Sequence, residues 1–76
     1  MTRIVCDPTI MLGKPIIEGT RLTVEMILEE LGAGTSTEEL LDAHPNLTRE
    51  GVQAAIAYAA AVIRNDEVLP LYEIAG

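Results

Sequence analysis

Residues 13–23 read GKPIIEGTRLT, a stretch that joins turn-forming residues to two β-branched isoleucines. Its glycines and proline favour turns, and Ile16-Ile17 between them favours extended backbone. Together with Ile4-Val5-Cys6 upstream, the stretch predicts one or two short N-terminal β-strands whose edges must pair with something. Thr23 is a good helix N-cap, so we expect the extended part of the chain to end there.

Three helices are predicted after Thr23. In the first, apolar residues at i, i+3, i+4 and i+7 form one stripe, and Gly32 and Gly34 end the helix. Ser36 and Glu39 make a capping box for the second, which Pro45 limits to about two turns. Thr48 caps the third, expected to end near residues 65–66. Its predicted apolar stripe comprises Val52, Ala55, Ile56, Ala59 and Ile63.

The last two helices are separated only by residues 44–47, with the sequence HPNL. A tight corner between two helices is typical of a helix-turn-helix. The predicted fold is therefore mostly α: a three-helix helix-turn-helix, homeodomain-like or winged-helix-like, with one or two short N-terminal strands. We assign residues 1–64 to this domain and residues 65–76 to a C-terminal tail.

The composition indicates more apolar material than one small core needs. Of 76 residues, 49% are hydrophobic, nearly all of them aliphatic, since there is no Phe or Trp. The surplus suggests a second buried surface, most simply that of a homodimer. The alternative is a well-filled core with exposed alanines. No apolar run approaches a membrane span, and we expect a cytoplasmic protein without membrane contact.

The charge balance bears on the choice of partner. Twelve acidic residues oppose five basic ones, for a net charge of −7. Nucleic-acid binders normally carry a basic face, so either the chain does not bind DNA or it gathers its few arginines on one side of an oligomer. An acidic protein suits a basic partner, such as the positive groove of an RNA-cleaving enzyme.

The start of the third helix is the candidate DNA-binding site. Its residues Thr48, Arg49 and Gln53 are types that reach phosphates and base edges, and Arg49 and Gln53 share a helix face. The alternative is that Arg49 and Gln53 are ordinary solvated residues.

Two further sets of residues are singled out. The first is a signature loop that shapes turns and ties the chain down, with Arg21 bound to a nearby acid or to carbonyls: Gly13, Lys14, Pro15, Gly19, Thr20 and Arg21. The alternative is that Lys14 and Arg21 contact a phosphate or a carboxylate. The second set belongs to an apolar tail that offers side chains for a partner's pockets: Val68, Leu69, Leu71, Tyr72 and Ile74. The alternative is that this tail folds back on the domain.

Catalytic, metal and cofactor sites are not expected. His44 is the only histidine and Cys6 the only cysteine. A lone His before a proline more often caps a helix end. We expect Cys6 to be a small buried apolar residue within the first strand.

The chain resembles a family of short prokaryotic proteins called domain of unknown function 433. The resemblance extends from about Ile4 to Ala61 and is carried by residues 13–24, by Ile27-Leu28, by residues 34–41, by the corner at residues 44–48 and by residues 52–59. It implies a helix-turn-helix, antitoxin-like protein, often paired with a small nuclease-like toxin of the PIN type.

We therefore expect a non-enzymatic antitoxin that binds and neutralises a PIN-like ribonuclease and, as a dimer, represses its own operon by binding operator DNA. The alternative is a homo-oligomeric structural or interaction module that does not bind DNA.

Overall fold

The computed structural model describes residues 2–65. Two short strands, β1 (Ile4–Val5) and β2 (Ile16–Ile17), precede three helices: α1 (Val24–Gly32), α2 (Thr37–Ala43) and α3 (Arg49–Asn65). The predicted mostly helical fold with a small N-terminal sheet is confirmed. The predicted partner-binding residues of the tail, from Val68 to Ile74, lie outside the described residues.

The strands form an antiparallel pair in which Ile4 faces Ile17 and Val5 faces Ile16. The second side of β2 is also occupied, because the Ile17 amide donates to the Leu22 carbonyl at 3.0 Å. β2 is thus the central segment of the sheet and β1 lies at its edge. The turn after β2 is held by Thr20, whose hydroxyl donates to the Ile17 carbonyl and accepts from the Leu22 amide.

Each helix begins at its predicted N-cap. The Thr23 hydroxyl accepts from the Met26 amide at 3.0 Å, and the Thr48 hydroxyl accepts from the Gly51 amide at 3.0 Å. At α2 the capping box is complete, since Ser36 and Glu39 each accept from the other's backbone amide. These bonds satisfy amides that the first turn of a helix leaves without a partner.

A single core lies where the sheet and the three helices meet. Its buried members are Ile17, Val24, Ile27, Leu40, Leu47, Val52 and Ala55. Leu47 comes from the corner between α2 and α3, so burying its side chain fixes the two helices against each other. The corner itself is closed by the Leu47 amide, which donates to the His44 carbonyl at 2.9 Å. The buried Leu47 side chain and this backbone hydrogen bond therefore stabilise the predicted corner between the two helices.

Two burial predictions are wrong. Cys6 is exposed, because it lies just after the end of β1 at the sheet edge. Ile56 and Ile63, assigned to the buried stripe of α3, are 48% and 61% exposed. Val52 and Ala55 of the same stripe are buried. The core therefore covers only the first half of α3.

One segment departs from ordinary backbone geometry. Met11 and Leu12 have φ angles of 50° and 60°, and they form a left-handed turn with Gly13. Side chains other than Gly rarely adopt this conformation, because it brings Cβ close to the following carbonyl oxygen. The turn is closed by the Lys14 amide, which donates to the Met11 carbonyl at 3.1 Å. It presents Leu12 to solvent with 91% of its surface exposed.

Candidate interaction surfaces

The second half of α3 carries an apolar face that residues 2–65 do not cover. Val62 follows buried Ala55 by seven positions, and Ile63 follows buried Val52 by eleven, so each lies on nearly the same side of the helix as its counterpart. Yet Val62 and Ile63 are 41% and 61% exposed. We call Ile56, Val62 and Ile63 the α3 apolar face.

Helix lengths explain why this face is left open. α3 has seventeen residues, whereas α1 and α2 have nine and seven. At 1.5 Å per residue, the last turns of α3 extend past the ends of its shorter neighbours. The stripe that faces the core therefore continues beyond the core. Sequence reasoning missed this surface, although the predicted caps already implied one long and two short helices.

The α3 apolar face also lies in an uncharged part of an acidic chain. From Gln53 to Ile63 there is no charged residue, whereas the whole chain has a net charge of −7. α1 alone exposes Glu25, Glu29 and Glu30. An apolar area bordered by charged surface is typical of a site for protein docking.

The candidate DNA-binding residues Thr48, Arg49 and Gln53 all have exposed side chains at the start of α3. Arg49, however, is paired: its Nη2 lies 2.7 Å from Oε2 of Glu38 on α2. This hydrogen bond raises the pKa of the Arg49 guanidinium. A phosphate would have to displace Glu38, so the surroundings of this site oppose an anion.

The signature loop connects the sheet to α1. The Pro15 carbonyl accepts from the Val24 amide at 2.9 Å, and Lys14 Nζ lies 2.9 Å from Oε1 of Glu25. Gly13 and Gly19 have φ angles of 80° and 84°, a conformation that glycine adopts without strain.

Arg21 differs from its expected role. Within residues 2–65 no ion pair or hydrogen bond of its side chain is found. Instead Arg21 lines an open groove between the end of β1 and the turn after β2, together with Cys6, Asp7 and Glu18.

Both acidic groups of this groove have a partner within the chain, although Asp7 uses only one of its two carboxylate oxygens. Oδ1 of Asp7 accepts from the hydroxyl and the amide of Thr9 at 2.7 and 2.8 Å, which lowers the pKa of Asp7. Oε1 of Glu18 lies 3.8 Å from Nε of Arg3. In the part of the chain that the structure describes, no group of three His, Cys, Asp or Glu side chains is arranged to hold a metal ion.

Comparison with known proteins places the chain. Residues 4–59 match the family described as "Protein of unknown function (DUF433)". The chain belongs to the DUF433 family. The matched range contains both strands, α1, α2 and α3 as far as Ala59. Val62 and Ile63 of the α3 apolar face therefore lie beyond the part that defines this DUF433 protein as a family member.

A curated relative is "Uncharacterized protein y4eO" of Sinorhizobium fredii (strain NBRC 101917 / NGR234). It is 38% identical over 55 residues, which are 72% of this chain and 25% of the relative. This DUF433 chain thus spans about a quarter of that relative's length. No solved structure gave a significant match. None of the helices within residues 2–65 is long and apolar enough to cross a membrane.

Proposed function

We propose that this DUF433 protein is a non-enzymatic binding module that acts in the cytoplasm as an antitoxin. It binds and neutralises a protein toxin, a PIN-like ribonuclease. The observation that carries the proposal is the α3 apolar face, which residues 2–65 leave exposed to solvent. Burying Ile56, Val62 and Ile63 against a partner removes apolar surface from water, the main favourable contribution to most protein association.

The acidic charge supports a basic partner. A ribonuclease needs positive potential where it holds the phosphates of RNA. A chain with twelve acidic and five basic residues has the opposite sign. Attraction between the two surfaces would speed their encounter and select for basic partners, while the apolar face would supply affinity.

The order of the chain extends the proposed binding element. The apolar residues Val68, Leu69, Leu71, Tyr72 and Ile74 follow α3 in the sequence. We assign them to the same docking element as the α3 apolar face. A short apolar segment after an exposed helical stripe offers the partner several adjacent anchors.

Operator binding is a second activity within this proposal. The helix-turn-helix corner and the exposed positions of Thr48, Arg49 and Gln53 favour it. The ion pair between Arg49 and Glu38 opposes it in an isolated copy. Repression would therefore require a dimer, or a complex with toxin, that supplies further cationic contacts.

A homo-oligomeric module without a DNA role is the other candidate. The same α3 apolar face favours it, because an uncharged helix rich in alanine allows a second copy to approach closely.

A growth-rescue assay tests the antitoxin proposal. Cells express a candidate PIN-like nuclease, chosen by its genomic proximity, together with wild-type protein, Ile63→Asp or Gln53→Asp. Both substitutions add one negative charge to α3, but only Ile63 belongs to the apolar face. We expect rescue by wild type and by Gln53→Asp, and growth arrest with Ile63→Asp at equal protein level. Rescue by Ile63→Asp, or no rescue by wild type, would overturn the proposal.

A truncation tests the tail separately. Deleting residues 66–76 is expected to abolish neutralisation while the folded core, monitored by circular dichroism, persists. Full rescue by the truncated chain would exclude the tail from the docking element.

A further inference from the structure

The outer edge of β1 carries backbone groups that point away from the sheet. Along an antiparallel pair, successive residues turn their N–H and C=O groups alternately toward and away from the partner strand. The Glu18 amide donates to the Arg3 carbonyl at 2.8 Å, so Arg3 faces β2. Val5, two residues on, also faces β2. The backbone groups of Ile4 and Cys6 therefore face outward, and Cys6 is exposed.

The charges that flank this edge have opposite signs. Residues 3–7 read RIVCD, with Arg3 and Asp7 at equal distances from Val5. When two copies pair antiparallel about a two-fold axis at Val5, Arg3 of each copy faces Asp7 of the other. Ile4 then faces Cys6 of the other copy. The outward N–H and C=O groups of these two residues can therefore form hydrogen bonds between the copies. Only this register combines the charge pairs with the backbone hydrogen bonds. A shift of two residues in one direction places Asp7 opposite Val5, and a shift in the other direction places Arg3 opposite Val5, so that both charge pairs are lost.

The side chains that would meet are available. Arg3 has 66% of its side chain exposed and lies 3.8 Å from Glu18, a long contact. Oδ1 of Asp7 receives both bonds from Thr9, and no hydrogen bond from residues 2–65 reaches its Oδ2. Arg3 and Asp7 would lie on the same face of the joined sheet, because residues 3, 5 and 7 alternate with 4 and 6.

We propose that the β1 edge is a dimerisation site for a second copy of this chain, with the two-fold axis at Val5. The two copies form one continuous antiparallel sheet, with the two β1 strands at its centre and β2 of each copy on the outer side of its own β1. Two Ile4–Cys6 pairs exchange backbone hydrogen bonds, and two Arg3–Asp7 pairs flank them. The proposal does not depend on toxin binding, which uses α3.

Site-specific cross-linking of the purified full-length chain tests the register. In the proposed dimer the two Val5 residues form a non-hydrogen-bonded pair, with Cα atoms about 4.5 Å apart, within disulfide range. The variant Val5→Cys combined with Cys6→Ser should give a disulfide-linked dimer under mild oxidation. The wild type is the matched control. Its two Cys6 residues would lie roughly 9 Å apart, too far for a disulfide.

A second variant tests the charges without touching the strand. Arg3→Glu should weaken dimerisation at least tenfold at low salt, measured by analytical ultracentrifugation, whereas Arg64→Glu should leave it unchanged. Both variants reverse one exposed arginine. Circular dichroism confirms that each is folded.

The outcomes separate the alternatives. Cross-linking of the Val5→Cys variant alone, with the expected Arg3 effect, supports the proposal. Cross-linking of wild-type Cys6 would show a different register, and a dimer that does not cross-link at position 5 would show that another surface, such as α3, joins the copies. Either result, or a monomer throughout, would overturn the proposal. Because toxin is absent, none of these results bears on neutralisation.

Discussion

The same substitution, valine to alanine, should have very different effects on the free energy of unfolding at two positions of α3. Val52 and Val62 lie about 80° apart around the axis of the same helix, and they are 2% and 41% exposed. Val52→Ala removes two buried carbons, at about 0.8 kcal/mol each, and leaves a cavity in the core, against a gain of about 0.5 kcal/mol in helix propensity, so we expect a net loss of about 1.5–2.5 kcal/mol. Val62→Ala removes carbons that are only partly buried and gains about 0.5 kcal/mol of helix propensity, so we expect a change within about 0.5 kcal/mol.

Urea denaturation followed by circular dichroism measures both effects. A domain of this size has a total stability of about 4–11 kcal/mol, so the loss from Val52→Ala should lower the denaturation midpoint clearly. The slopes should agree among wild type and variants, which checks that all unfold in the same way.

Equal losses of stability from Val52→Ala and Val62→Ala would contradict the difference in burial between the two halves of α3. They would mean that Val62 is covered in the free protein, and the α3 apolar face would then not be open to a partner. If neither substitution changed the free energy of unfolding, the first half of α3 would not be part of the core.

Three further predictions concern other parts of the molecule. Leu12→Gly should raise the free energy of unfolding by about 0.5–1 kcal/mol in urea denaturation, because the left-handed φ of 60° costs glycine nothing and the exposed side chain buries little; a loss would contradict the strain. The amide and hydroxyl of Ser36 lower the pKa of Glu39 below its ordinary 4.5. Glu39 therefore contributes stability above pH 4.5, and this stability is lost as the pH falls through the lowered pKa. When the free energy of unfolding is measured across pH, Glu39→Gln should reduce this loss at acid pH, and an unchanged pH profile would contradict the role of Glu39. Arg49→Ala should weaken operator binding and reduce its salt dependence in a titration with operator DNA; an unchanged salt slope would mean that this side chain, paired with Glu38, touches no phosphate.

Helix starts were predictable because their determinants are local. Thr23, Ser36 and Thr48 each bond an amide three residues ahead, so a window of four residues contains the information. The corner at residues 44–47 was predictable for the same reason. Pro45 and the next cap leave too few residues between the helices for anything but a turn.

Burial was less predictable because it depends on distant parts of the chain. Periodicity placed Ile63 on the side of α3 that faces the core. It could not show that Ile63 lies past the end of the core, because that depends on the lengths of α1 and α2. Cys6 has an apolar neighbourhood in sequence, yet it lies just beyond the end of β1. The left-handed turn at Leu12 has no signal in its own residue type, since leucine disfavours it.

The partner of Arg49 was also out of reach of sequence reasoning. Glu38 lies eleven positions away on another helix, and only the packing of α2 against α3 brings the two side chains together. The prediction that Arg49 contacts DNA stays a prediction, now with a named competitor for its charge.

Docking through α3 is tested most directly by the affinity of the purified wild-type chain for a candidate PIN-like nuclease, chosen by genomic proximity, compared with that of Ile63→Asp by isothermal titration calorimetry. Gln53→Asp serves as the control for charge. We expect tight binding by wild type and by Gln53→Asp, and a dissociation constant at least about thirtyfold higher for Ile63→Asp, as expected for an interface anchor. Equal affinity of all three proteins, or no binding by wild type, would rule out docking of the nuclease through the α3 apolar face.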